Sequence, residues 1–155
     1  MILLDTNLWV FGTLSTNARA ERLLDEIERG KTVSAINAYM VQEALDAFDR
    51  TPGLTPQQRD EMKTLFLTRL TRMTGLIEAP SSRDGADALL DHRRSATHTQ
   101  LLARITGLQA KDIPILVLTF KHRDRDPVLL TNDAGFADFS PSEYNLAEIT
   151  IEHVT

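Results

Sequence analysis

Four carboxylates in the chain stand out by position: Asp5, Glu43, Asp112 and Asp133. Asp5 closes the apolar run Met1-Ile2-Leu3-Leu4 and is followed by Thr6 and Asn7. Asp133 closes a second run, Val128-Leu129-Leu130, after Thr131 and Asn132. A strand buried on both faces reads as a continuous apolar run, and ligands of open α/β sheets gather outside the carboxyl ends of strands. Two such runs ending in Asp, Thr and Asn therefore point to one shared site. Carboxylates converging in a cleft need a cation to offset their repulsion. An all-oxygen set suits Mg²⁺ or Mn²⁺, which keep positions for water and for phosphate oxygens. The matching chemistry is in-line attack of water on a phosphodiester, with no Ser or Cys nucleophile required.

Each acid alone has a plainer reading. Asp5 can cap a following helix, Asp112 can be an N-cap before Pro114, and Asp133 can form a turn after Asn132. Glu43 lies off the apolar stripe of its helix, which fits a solvated side chain as well as the edge of a cleft. Only the paired strand endings raise the constellation above background. Competing chemistries lack their motifs: there is no glycine-rich phosphate loop, no nucleophile elbow and no HExxH. The histidines His92, His98, His122 and His153 are scattered, and His92 and His122 read as surface residues. The absence of cysteine excludes a disulfide framework, a thiolate nucleophile and a thiolate metal site.

The elements that must position these acids follow from periodicity. Asn17 or a neighbour opens a helix carrying Ala20, Leu23, Leu24 and Ile27, with Gly30 as its stop. Residues 32–35 form a short strand, and Asn37 caps a helix with the stripe Val41, Ala44, Leu45 and Phe48. Thr55-Pro56-Gln57-Gln58 is a capping box with Pro at the first helical position, opening a long helix striped by Met62, Leu65, Phe66, Leu70 and Met73. Residues 76–79 make another strand, and further helical spacing runs through Ala86, Leu89 and Leu90, then Leu101, Leu102 and Ile105, with the basic patch His92-Arg93-Arg94 between them. Residues 111–120 are evenly balanced: the β-branched apolar run suggests a strand, whereas Asp112 before Pro114 suggests a helix opening. Lys121–Asp126 reads as a solvated turn, and 149–154 alternates like an edge strand. The order βαβα, then helices, then two strands predicts an α/β sandwich with a mainly parallel sheet.

At 155 residues, 42% hydrophobic and 25% charged, the chain fits a single globular domain over 1–155. Without a membrane-length apolar run or a basic signal region, the expected location is the cytoplasm. The net charge of −5 argues against a broad electrostatic nucleic-acid binder, yet a metal-dependent nuclease needs acidic residues in its site.

With these residues in view, the sequence resembles PIN-domain ribonucleases, and most of all the VapC-type toxins of toxin–antitoxin pairs. Leu4-Asp5-Thr6-Asn7 is similar to the family's opening motif, and Thr131-Asn132-Asp133 with Phe136 to its closing motif. Ser34-Ala35-Ile36 leading to Glu43 matches its second strand and helical acid. Asp112 stands where its third acid begins a helix, which favours helix for 111–120. The resemblance spans the chain. It implies a three-layer sandwich with a central sheet of about five strands and an RNA-cleaving site using Mg²⁺ or Mn²⁺. Asp5 and Asp112 would be core ligands, with Glu43 and Asp133 acting directly or through water. Thr6, Asn7 and Thr131 would shape the site by hydrogen bonds. It also implies a homodimer and a cognate antitoxin, with the apolar face of the helix after Thr55 available to either. The sequence departs from the pattern in the long segment 51–107, in Ile113-Pro114 after the third acid, and in the charged stretch 122–126. A non-catalytic RNA-binding or assembly module is the alternative. An aspartyl-nucleophile phosphatase is disfavoured because Asn7 stands where its second acid belongs.

Overall fold

The computed structural model describes residues 1–80, 103–104 and 106–155. The helical spacing expected at Ala86, Leu89, Leu90, Leu101, Leu102 and Ile105, and the patch His92-Arg93-Arg94, lie outside these residues. Strand β1 is Ile2–Leu4, and helix α1 (Thr6–Leu14) follows at once, capped by Asp5. Helix α2 (Ala18–Glu28) opens on Asn17, whose side chain accepts from the Ala20 amide, and Gly30 beyond its end takes φ 71°. Strand β2 (Ser34–Ala35) leads to α3 (Ala38–Arg50), capped by Asn37 through the Met40 amide. Helix α4 (Pro56–Arg72) starts on the expected capping box between Thr55 and Gln58. Strand β3 is Leu76–Glu78. A 3₁₀ turn at Ala110–Asp112 runs into α5 (Ile113–Lys121), which decides the ambiguous segment in favour of helix. After a 3₁₀ turn at Arg123–Arg125 come β4 (Val128–Thr131), the short α6 (Ala134–Ala137) and β5 (Thr150–His153).

The strands are arranged differently from a single five-stranded sheet. Parallel ladders join them as β1-β4-β5 in a three-stranded sheet, with β2-β3 as a separate pair. One bond, from the Ile2 amide to the Val33 carbonyl at 2.9 Å, links the edge of β1 to the chain entering β2. Strand β2 pairs with β3 instead, so the two sheets remain separate.

The register places the two motif strands side by side: Leu3 faces Leu129 and Leu4 faces Leu130. All four of these leucines are buried, as the uninterrupted apolar runs require. Helices flank the sheet and share the core. Trp9 of α1 and Phe48 of α3 both meet Phe66 of α4, with ring centroids 6.5 and 5.8 Å apart. The Trp9 indole donates to the Leu4 carbonyl, tying α1 back to β1. Of the α4 stripe only Phe66 and Met73 are buried, whereas Leu65 is 40% exposed. A second anchor holds α4 to α2, where Arg69 pairs with Asp25 at 2.8 Å and Glu28 at 2.9 Å. Among the described residues, no helix is long and apolar enough to cross a membrane.

Candidate active site

The parallel pairing of β1 and β4 brings their carboxyl ends to one edge, and the cleft opens there. It is lined by Asp5, Thr6, Asn7, Glu43, Ala47, Arg50, Lys111, Asp112, Ile115 and Asp133, and encloses about 90 Å³. All four acids singled out in the sequence therefore border one cavity, with Thr6 and Asn7. Thr131 lies buried behind it and acts through Asp5.

Asp5 is both helix cap and cleft residue. Its Oδ1 accepts from the Leu8 amide at 3.0 Å, and its Oδ2 accepts from the Thr131 hydroxyl and from the Asn132 amide at 3.2 Å. A carboxylate offers about four lone-pair positions, so roughly one remains, on Oδ1. The Thr131 hydroxyl accepts from the Asp133 amide at 3.0 Å, which commits its single proton to Asp5. Asn7 donates to the Asn132 side chain at 3.0 Å, latching the two motif loops together. Asp133 caps α6, its Oδ1 accepting from Gly135 and Phe136, and this leaves Oδ2 for the cleft. Asp112 occupies the N-cap position of α5, yet its side chain makes no capping bond.

Burial pushes the Asp5 carboxyl above its ordinary range against the pull of Thr131, Leu8, Asn132 and nearby Lys111. Asp112 is pushed up to about 6, mainly by burial. Lys111 opposes that shift, while the charges of Asp133 and Asp5 add to it. Three acids thus repel one another across a small cavity.

Among the described residues, no three His, Cys, Asp or Glu side chains form a ready-made metal cage. Mg²⁺ does not need one, because it is commonly held by one or two carboxylates with waters and phosphate completing the shell. Open acceptors on Asp5 and Asp133, and the mutual repulsion at Asp112, suit such an ion.

The sequence reading missed two cleft residues, Arg50 and Lys111. Glu43, Ala47 and Arg50 are spaced as one face of α3, and Lys111 adjoins Asp112, so both were recoverable once the acids were fixed. One expected surface residue also differs. His122 is half-buried and sits 2.8 Å from Glu78, which Lys121 also contacts at 2.6 Å, joining the end of β3 to the end of α5. Arg123 and Arg125 precede β4, at the strand end remote from the cleft.

The chain matches no protein-family model and no curated protein. It is similar in structure to a chain of VapBC2 from Rickettsia felis bound to a DNA fragment from their promoter, with a TM-score of 0.55, 15% identity and 100% of both chains covered. The fold is PIN-like. At that identity the likeness concerns the PIN-like fold, and the chemistry of the cleft rests on the residues just described.

Proposed function

We propose that the protein is a divalent-metal-dependent endoribonuclease that hydrolyses RNA phosphodiester bonds, and that it is the toxin of a type II toxin–antitoxin pair. The observation that carries this reading is the convergence of Asp5, Glu43, Asp112 and Asp133, from four separate elements, on one cleft. Asp5, Asp112 and Asp133 would hold the ion, with Glu43 as a further ligand or a water-mediated one. A bound Mg²⁺ or Mn²⁺ supplies charge neutralisation on the phosphate and a lowered pKa for water. The residues themselves supply position. Thr131 and the Leu8 and Asn132 amides lock the Asp5 carboxylate, so its remaining acceptor points one way. The Asn7–Asn132 latch keeps the two motif loops from parting. Glu43 on α3 lines the cleft, where it can orient a water.

The toxin assignment is supported by the motif resemblance together with the likeness to a VapBC2 chain. A cognate antitoxin and a second copy of this chain are the proposed protein partners, with the half-exposed Leu65 and Leu67 on α4 open to either. The rival reading is a non-catalytic RNA-binding or assembly module. Incubation of wild type, Asp5→Asn and Asp112→Asn with RNA and Mn²⁺ separates the two. The nuclease reading expects cleavage by wild type alone and none in EDTA. If wild type leaves RNA intact and binds Mn²⁺ no better than the variants, the module reading replaces it.

A further inference from the structure

Arg50 and Lys111 border the acid-lined cleft, where the Lys111 charge offsets only part of the acids' repulsion. Neither makes a hydrogen bond or ion pair among the described residues, and both side chains are exposed. They stand on different walls: Arg50 ends α3, and Lys111 lies in the 3₁₀ turn before α5. Along α3, Arg50 is seven residues beyond Glu43, about 10 Å at the helical rise. That offset along one face of the helix suits an anion beside the reacting one. The exposed Arg123 and Arg125 lie at the other end of β4, away from the cleft.

We propose that Arg50 and Lys111 form a two-point clamp on the backbone of single-stranded RNA, Lys111 at the phosphate nearest the acids and Arg50 at a flanking one. This deepens the nuclease reading and rests on it for the identity of the ligand. A cleft of about 90 Å³ is too small to take in a duplex, and phosphate contacts fix register without reading sequence. Any base preference must therefore come from elsewhere on the surface.

The test is fluorescence anisotropy of a short labelled single-stranded RNA in EDTA, titrated at several salt concentrations with wild type, Arg50→Gln, Lys111→Gln and the double variant. EDTA stops metal-dependent cutting, and the acids then repel RNA equally in all four proteins. Each phosphate contact contributes about 0.7 to the slope of log affinity against log salt for a single strand. The clamp expects the slope to fall by about 0.7 in each single variant and about 1.4 in the double variant. Unchanged slopes, or no RNA binding by wild type, overturn it. Mn²⁺ calorimetry on the same proteins keeps the two claims apart. Slope losses with no Mn²⁺ bound support the clamp and reject the nuclease reading. Mn²⁺ binding with unchanged slopes rejects the clamp alone.

Discussion

Replacing Asp112 by Asn removes a charge that the metal-free fold disfavours. Its carboxyl is raised from 3.8 to about 6, first by burial and then by the charges of Asp133 and Asp5. An acid raised on folding binds more protons folded than unfolded, so stability falls as pH climbs from 3.8 through about 6 and levels off above. A shift of roughly two units is worth about 3 kcal/mol, and half-exposure to solvent reduces this to about 1.5. In a chain of this size that corresponds to a rise in Tm of about 3–6 °C for Asp112→Asn near neutral pH. Thermal melts by circular dichroism in EDTA, run near neutrality and again below pH 4, measure it. The gain should be present at neutrality and vanish in acid, where the wild-type carboxyl is already protonated. Added Mn²⁺ should reverse the order, because a ligand stabilises only the protein that binds it. A variant no more stable than wild type at neutral pH would refute the electrostatic account of the cleft.

Three further outcomes test the scaffold. Thr131→Val removes the donor to Asp5 and the acceptor for the Asp133 amide, and should cost roughly 1–3 kcal/mol in urea denaturation. Gly75→Ala would set a Cβ 2.2 Å from the Thr32 carbonyl and 2.7 Å from that of Ile27, so urea melts should show a loss of about 1–3 kcal/mol or more. Ser34→Ala deletes a buried hydroxyl that has no hydrogen-bond partner among the described residues, and its urea midpoint should stay level or rise.

Local chemistry made much of the scaffold legible. Asn17, Asn37 and the Thr55–Gln58 box each open the helix their side chains predicted, because capping is decided within four residues. The two strand endings foretold the β1–β4 neighbourhood, since only a shared buried sheet explains two unbroken apolar runs. Asp5 could be read as cap or site residue, and it both caps α1 and borders the cleft because its two oxygens face different partners. What stayed hidden depends on tertiary contact. Division of the strands into two ladders is a matter of which strands pair, and that is not encoded in any local run of residues. The half-burial of His122 comes from Glu78, 44 residues away. Arg50 and Lys111 carry no local signal of a cleft until the acids around them are placed.

The central claim is that these acids hold a divalent ion. A crystal of the wild-type protein soaked in Mn²⁺, with the ion located by its anomalous scattering, tests it most directly. The account predicts one or two ions in the cleft, with Asp5 and Asp112 in direct contact and Asp133 and Glu43 in contact or one water away. No ion in the cleft at saturating Mn²⁺, or an ion held elsewhere by other residues, would contradict it.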